Sequence, residues 1–231
     1  MWFFPRECSL FVEVMCMDFD ACIFDLDGTL LDSIGVWIDI DIEFLKKRGA
    51  TVTEEYGKAT ATMRMREAAD YTVKLYRLDE DPEDIMAEWM EMARDRYAHK
   101  IGLIPYAKEF LLELKEKGVP MGVATIGIKE LYQPALERNG IAELFDVIVD
   151  ADMVKTGKET PDIYLKAAEL LGVEPKRCTV FEDTSIGLRS AGSCGFMTVG
   201  ILDRGNRENH DEIRAMCDIA AFDFKQFLID T

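Results

Sequence analysis

The sequence has few of the residues that build zinc or disulfide sites. It contains two histidines, His99 and His210, and six cysteines, none of which stands in a Cys-x-x-Cys pair. Structural zinc needs a cluster of Cys and His ligands at short spacings, so a zinc site is not expected. Cys22 and Cys178 fall inside apolar runs, which predicts buried, reduced thiols in a cytoplasmic protein.

The sequence also lacks long hydrophobic runs and an excess of basic residues. No run approaches the roughly 18 apolar residues that indicate a membrane-spanning helix, so none is expected. The 44 Asp and Glu residues outnumber the 27 Lys and Arg residues, and the net charge is −17. This acidity argues against a nucleic-acid partner and against docking on an anionic membrane. Hydrophobic residues make up 48% of the 231 residues, which is enough for a packed core.

The N-terminal segment differs from the rest of the chain. Residues 1–14 are largely apolar but have no basic region and no small-residue cleavage site, so they make a poor signal peptide. We predict an N-terminal extension over residues 1–17. The alternative is that translation begins at Met15 or Met17.

Short apolar runs alternate with segments of helical period. We predict strands at residues 21–24, 119–124, 145–149, 178–181 and 196–199. Residues 107–114 and 164–171 place apolar side chains at i, i+3, i+4 and i+7, which predicts helices. Thr160 is the expected N-cap of the second helix, with Pro161 at its first position. Strands alternating with helices predict an α/β fold, a Rossmann-like parallel sheet with helices on both faces.

One connection is too long for a single crossover helix. About 90 residues separate the first strand from the second, and they show few strand signals. We predict helices at residues 34–47, at 53–78 with a possible break, and at 82–100. The domains are then an α/β core, residues 18–32 and 101–231, and an inserted all-helical domain, residues 33–100.

Polar residues of reactive types follow four of the predicted strands. In chain order they are Asp25 with Asp27, Thr125, Lys158, and Glu182 with Asp183. The carboxyl ends of the strands in an open parallel sheet form the edge at which ligands bind. We therefore expect these side chains to converge on one site.

This set of groups indicates phosphoryl transfer. Packed carboxylates repel one another unless a cation neutralises them, and oxygen ligands combined with a substrate phosphate favour Mg²⁺. A lysine and a threonine hydroxyl can hold phosphoryl oxygens. One aspartate can act as the nucleophile, and a second, two residues further on, can protonate the leaving oxygen and then activate water.

The Asp-x-Asp-Gly segment at residues 25–28 has two other interpretations. A calcium loop of the EF-hand type needs its glycine at the sixth position, whereas Gly28 stands at the fourth. An ordinary turn at a strand end also takes Asp and Gly. The joint arrangement at four strand ends favours a functional site.

Three motifs resemble those of the haloacid-dehalogenase-like hydrolases. The first motif of that family is similar to FDLDGTLLDS at residues 24–33, and its lysine motif to GKETPDIY at residues 157–164. The acidic motif of the branch with a helical cap is similar to FEDTSIG at residues 181–187. The resemblance spans about residues 20–200 and is greatest to the phosphoglycolate-phosphatase and β-phosphoglucomutase group.

The resemblance implies catalytic and phosphate-binding roles. Asp25 would be the nucleophile, Asp27 the general acid and base, and Lys158 the group that stabilises the phospho-aspartate. Thr125 and the backbone N–H of Ile126 would bind the phosphoryl group together with Asp25 and Lys158. In this group Asn or another small polar residue usually stands where this chain has Ile126, which puts the group's usual substrates in doubt.

The resemblance also implies a metal site and a cap. Asp25, the backbone carbonyl of Asp27, and Asp183 would hold Mg²⁺, with Glu182 as a weaker candidate that acts directly or through water. The insert would close over the substrate and exclude water. Arg64 and Arg66 are the only candidates for substrate contact that we find in the insert, and pairing with Glu67 or Asp70 is the alternative for them.

The expected function is hydrolysis of a small phosphorylated metabolite by a Mg²⁺-dependent phosphatase through an aspartyl-phosphate. A phosphomutase of the β-phosphoglucomutase type, or a non-catalytic ligand-binding member of the family, are the alternatives. A receiver domain is disfavoured because it has about half this length and no inserted domain. No protein partner is evident, so a monomer or a homodimer is expected.

Overall fold

The computed structural model describes residues 19–60, 63, 65–154, 156–202, 207 and 209–228. They form two compact units, one made of the described residues up to Ser33 and from Gly102 onward, the other of Ile34–Ile101. The predicted N-terminal extension, residues 1–17, lies outside the described residues. No described helix is long and apolar enough to cross a membrane.

Ten α-helices and six strands are present in the described residues. The strands are β1 Ala21–Phe24, β2 Met121–Thr125, β3 Val147–Asp150, β4 Cys178–Glu182, β5 Met197–Ile201 and β6 Ile219–Ala221. The helices of the helical unit are α1 Val36–Lys47, α2 Glu54–Thr60, α3 Met65–Tyr76 and α4 Pro82–His99. Those of the α/β unit are α5 Ala107–Glu116, α6 Lys129–Asn139, α7 Ala151–Val154, α8 Asp162–Leu171, α9 Ser185–Gly192 and α10 His210–Met216.

The six strands form one sheet in the order β3-β2-β1-β4-β5-β6. Every neighbouring pair is parallel. The predicted Rossmann-like α/β fold is therefore confirmed. β6 was not predicted from the sequence, because it is only three residues long. The strand order was not predicted either, because it depends on pairing between segments distant in the sequence.

Both faces of the sheet are buried. Ile23 of β1 lies in a buried cluster with Tyr164 of α8. Phe24, the next residue, points to the opposite face, where it stacks on Phe181 of β4 at 4.7 Å and meets Phe110 of α5 at 6.3 Å between ring centroids. Strand alternation thus places α8 and α5 on opposite faces, and β1 is buried along its whole length.

The start of α8 differs from the expectation. The helix begins at Asp162 with Pro161 at the N-cap position, one residue later than predicted. The Thr160 hydroxyl donates to the Asp162 carboxylate at 2.8 Å. The predicted N-cap is therefore wrong, because this hydroxyl bonds a side chain and not a backbone N–H of the first turn.

The helical unit has an aromatic core with polar groups at its margin. The rings of Phe44 in α1 and Trp89 in α4 meet edge to face at 5.4 Å. The Arg48 guanidinium lies 3.6 Å over the Phe44 ring and forms ion pairs with Glu80 and Glu88. These contacts join α1 to α4 within the unit.

A half-buried carboxyl in this unit makes its stability depend on pH. Burial raises the pKa of Asp41 from 3.8 to about 6, although the hydrogen bond from the Tyr56 hydroxyl opposes the shift. The folded state then binds a proton more tightly than the unfolded chain, so this group makes the fold more stable as pH falls from about 6 to 4. We expect Asp41→Asn to stabilise the unit by about 1–2 kcal/mol at pH 8 and by nothing at pH 4.

Urea unfolding followed by the fluorescence of Trp37 and Trp89, both in the helical unit, measures this difference. Glu54→Gln is the control, because Glu54 is exposed at the start of α2. An equal gain for Asp41→Asn at both pH values would show that the Asp41 pKa is not raised.

Candidate active site

The strand register brings two acidic residues together. Phe24 of β1 pairs with Phe181 of β4, so the residues that follow, Asp25 and Glu182, come side by side at the carboxyl edge. The Asp25 backbone N–H extends the pairing by donating to the Phe181 carbonyl at 3.0 Å. Asp25 is 3% exposed and Glu182 is fully buried. Two carboxylates in this position need a cation nearby.

Lys158, in the loop between β3 and α8, supplies a positive charge. Its Nζ donates to Oε2 of Glu182 at 2.6 Å and forms an ion pair with Oδ1 of Asp25. Burial by itself lowers the pKa of Lys158, but the negative charges of Asp25 and Glu182 outweigh it and the pKa lies above its ordinary value. The ammonium therefore stays charged between the two carboxylates.

Glu182 is held by four hydrogen bonds. Its Oε2 accepts from Lys158 at 2.6 Å and from the Tyr164 hydroxyl at 2.9 Å. Its Oε1 accepts from the backbone N–H of Thr184 at 3.0 Å and from the Thr184 hydroxyl at 2.6 Å. Burial raises the pKa of Glu182, but the charge of Lys158 and these hydrogen bonds outweigh it, so the pKa lies below its ordinary value.

Asp183 completes a cluster of three buried acids. Carboxylate oxygens of Asp25, Glu182 and Asp183 lie within 4.8 Å of one another. Burial, followed by the negative charges of Glu182 and Asp25, raises the pKa of Asp183 well above its ordinary value. Among the described residues, Lys158 is the cation that forms ion pairs with this cluster, through Asp25 and Glu182. Three carboxylates with one ammonium leave an excess of negative charge.

Asp25 lies at the centre of these interactions. Burial raises its pKa to about 7, with the charge of Lys158 opposing the shift and the charge of Glu182 adding to it. The Thr29 hydroxyl donates to its Oδ2 at 3.4 Å, a long hydrogen bond. Ionised Asp25 thus depends on positive charge close by.

Asp27 is held on the loop that follows β1. Gly28 has a φ of 87°, in the region that favours glycine, and its N–H donates to the Leu31 carbonyl at 2.8 Å, so the loop folds back on itself. The hydroxyl of buried Ser33 donates to Oδ1 of Asp27 at 2.6 Å. This contact fixes one carboxylate oxygen of Asp27 on the loop.

Thr125 and Asp27 border the same small space. A Cβ built on Gly127 would lie 3.1 Å from Oδ2 of Asp27 and 3.1 Å from Oγ1 of Thr125. The Gly127 N–H donates to Oγ1 of buried Thr125 at 2.9 Å, which leaves the threonine O–H able to donate elsewhere. Ile126, between them, is 56% exposed. The absence of a side chain at Gly127 keeps this space open.

The structure adds three residues to the candidate site. Tyr164 and Thr184 bind Glu182, and Ser33 binds Asp27. All three stand inside the three family motifs. A tyrosine on the buried face of a predicted helix is a signal, since a buried hydroxyl needs a hydrogen-bond partner. The partner of the Tyr164 hydroxyl depends on which strand lies beside β1. The sequence does not reveal that neighbour.

Arg66 and the two histidines are described only within their own units. Arg66 is exposed and pairs with Asp70 at 3.3 Å and with Glu83, which agrees with the alternative given for it. Arg64 lies outside the described residues. His99 is the last residue of α4 in the helical unit, and the His210 ring packs against Phe222 at 5.9 Å.

A parallel sheet with buried carboxylates, a lysine and a threonine at its carboxyl edge defines an α/β enzyme with an acidic active site. Comparison with protein families shows to which family this enzyme belongs. The chain belongs to the haloacid dehalogenase-like hydrolases, whose family model matches residues 22–201. The protein is a hydrolase of that family, as the three motifs predicted.

The individual relatives share between a quarter and a third of their residues with this chain. A phosphorylated carbohydrates phosphatase of Thermotoga maritima is 28% identical over 176 residues, which are 76% of this chain and 82% of that protein. A fructose-1-phosphate phosphatase of Escherichia coli is 28% identical over 179 residues, 78% of this chain and 94% of that protein. Among solved structures, a Thermotoga maritima protein proposed to be a β-phosphoglucomutase is 25% identical, with a TM-score of 0.77 and coverage of 91% of this chain and 96% of that one.

Proposed function

We propose that the protein is a Mg²⁺-dependent phosphatase that hydrolyses a small phosphorylated metabolite, such as a sugar phosphate. The observation that carries the proposal is the ion pair of buried Lys158 with Asp25, beside Asp183 and a threonine that can bind phosphate. Two curated relatives named as phosphatases of phosphorylated carbohydrates support this substrate class.

The proposed reaction has two steps. A carboxylate oxygen of Asp25 attacks phosphorus, the bond from phosphorus to the ester oxygen breaks, and the carboxyl of Asp27 donates its proton to the leaving oxygen. In the second step Asp27 takes a proton from water, the water oxygen attacks the same phosphorus, and free phosphate leaves Asp25. Lys158 and the Thr125 hydroxyl stabilise the phosphoryl oxygens in both steps.

The acidic cluster fits a hard divalent cation. Three buried carboxylates with one lysine carry a formal charge of minus two. Burial, together with the negative charges of Glu182 and Asp25, raises the pKa of Asp183. We propose Asp25, Asp183 and the backbone carbonyl of Asp27 as ligands, with Glu182 as the weaker candidate because its oxygens already accept four hydrogen bonds. Bound Mg²⁺ would neutralise the carboxylates and polarise a phosphoryl oxygen.

Metal removal tests this proposal. We expect phosphate release from a panel of sugar phosphates to fall by about 100-fold or more after dialysis against EDTA and to return when Mg²⁺ is added, since the carboxylates otherwise repel the substrate dianion. Asp183→Asn should raise the Mg²⁺ concentration that gives half-maximal rate. The control is Asp223→Asn, since the Asp223 carboxylate accepts from the Lys225 N–H and no described contact joins it to the cluster. Full activity in EDTA would contradict the proposal.

A phosphomutase is the second candidate, favoured by the likeness to the Thermotoga maritima structure. The same residues serve both reactions, which differ only in whether water or a substrate hydroxyl accepts the phosphoryl group from Asp25. Incubation with glucose phosphates separates them. Isomerisation without release of free phosphate would replace the phosphatase proposal.

The cellular setting is also a proposal. Cys22, Cys178, Cys194 and Cys217 all carry free thiols, which supports a reducing compartment such as the cytoplasm. We infer a monomer or a homodimer that acts on a small molecule. The role of residues 33–100 as a cap stays a prediction of the family resemblance.

A further inference from the structure

We propose that the hydroxyl of Tyr164 is a positioning group for Lys158, acting through Glu182. The inference rests on the proposed function, in which Lys158 stabilises the phosphoryl group. In the described contacts Tyr164 touches neither Asp25 nor Thr125, two of the residues proposed to contact the phosphoryl group. It is therefore a positioning residue and not a catalytic one. Its effect reaches the reaction through one shared oxygen atom, Oε2 of Glu182.

The shared oxygen accepts hydrogen bonds from two donors. Oε2 of Glu182 accepts from Lys158 at 2.6 Å and from Tyr164 at 2.9 Å, while Oε1 accepts two bonds from Thr184. A carboxylate oxygen has two lone pairs, so both oxygens are saturated. The carboxylate plane is therefore fixed from two sides, by α8 through Tyr164 and by the start of α9 through Thr184.

The tyrosine itself is rigidly placed. Tyr164 is fully buried in the first turns of α8, within the cluster that packs this helix on β1 and β4, and its ring meets Phe196 at 6.4 Å. A buried phenol with a fixed ring presents its O–H in one direction. The protein interior therefore sets the position of this donor with little freedom.

Gly187 shows how closely the surroundings fit this contact. A Cβ at Gly187 would lie 2.6 Å from Cδ of Glu182 and 2.6 Å from the Tyr164 hydroxyl oxygen. A side chain at this position would require Glu182 or Tyr164 to move. The Gly187 N–H in turn donates to the Thr184 hydroxyl at 3.2 Å, so the glycine belongs to the same arrangement.

The hydroxyl affects where the lysine charge lies. Lys158 is shared between Asp25 and Glu182, and the Tyr164 hydrogen bond withdraws part of the negative charge on Oε2. Without the Tyr164 hydrogen bond, Oε2 of Glu182 attracts the ammonium more strongly, and one lone pair of this buried oxygen has no donor. Lys158 then moves toward Glu182 and away from Asp25, where the phosphoryl group is transferred.

Tyr164→Phe tests the inference, because it removes the hydroxyl and keeps the ring. We expect kcat to fall about 3- to 10-fold and KM to rise, since a charge-assisted hydrogen bond to Glu182 is lost and Glu182 holds the lysine that binds the phosphoryl group. We also expect weaker binding of inorganic phosphate, measured by calorimetry, by a similar factor. In a Lys158→Met background the same change should leave phosphate binding unaltered, because the group that it positions is gone.

Tyr56→Phe is the matched control, since it removes a buried hydroxyl that donates to a carboxylate in the helical unit. It should leave kcat and phosphate binding unchanged. The inference is overturned if Tyr164→Phe has the kcat and the phosphate affinity of the wild type, or if both variants lose the same activity. If the wild type releases no phosphate from any ester, the proposed function fails, while a weaker affinity of Tyr164→Phe for inorganic phosphate would still support the positioning role.

Discussion

Asp25→Asn is expected to lower phosphate release by about 10⁴-fold or more, because an amide cannot act as the nucleophile that forms the phospho-enzyme. The fold should survive. Burial raises the pKa of Asp25 to about 7, so the ionised form is disfavoured there and a neutral amide of the same shape fits. Lys158 keeps its hydrogen bond to Glu182.

Mass spectrometry of acid-quenched enzyme provides the second measurement. The wild type should carry a phosphate on Asp25 during turnover, and the variant should carry none. Asp20→Asn, an exposed residue just before β1 that pairs with Arg177, is the matched control and should retain full activity. If Mg²⁺-dependent phosphate release is the same in Asp25→Asn as in the wild type, the nucleophile is a different residue.

Lys158→Met is expected to reduce both activity and stability. Removing the ammonium leaves Asp25 and Glu182 buried without their charge partner, and breaking a buried pair in this way costs about 3–5 kcal/mol of unfolding free energy. Phosphate release should fall by about 10³-fold, since the phosphoryl charge loses its stabilising cation.

The pH dependence of this loss follows from the sign of the pKa shifts. The charge of Lys158 lowers the pKa values of Asp25 and Glu182, so both rise in the variant. The folded variant then takes up protons as pH falls from about 7 to 5, and it regains stability relative to the unfolded chain. We expect the difference from the wild type to be smaller at pH 5 than at pH 7.5.

Urea unfolding at the two pH values measures this effect. Lys166→Met is the control, because Lys166 is a surface residue of α8 whose pair with Glu169 contributes about 0.5 kcal/mol or less. A variant at Lys158 with the wild-type unfolding midpoint at pH 7.5 would show that the buried carboxylates do not depend on this lysine.

The fold class and the position of the candidate site could be predicted from the sequence alone. Apolar runs alternating with helical periods predict a parallel α/β sheet, and the structure has one. A reactive residue after each of four predicted strands predicts convergence, because strand polarity alone places their carboxyl ends at one edge. The structure brings Asp25, Lys158, Glu182 and Asp183 together at that edge, although their roles remain proposals.

The tertiary structure alone decided which of these groups touch. The sheet order places β4 beside β1, and the register of Phe24 with Phe181 then sets Asp25 next to Glu182. Both depend on packing between segments more than 150 residues apart, which no local pattern encodes. The partner of the Tyr164 hydroxyl, the four bonds of Glu182 and the order of the six strands follow from that packing. The sequence determined the chemistry at the edge of the sheet, and the long-range pairing of strands determined its geometry.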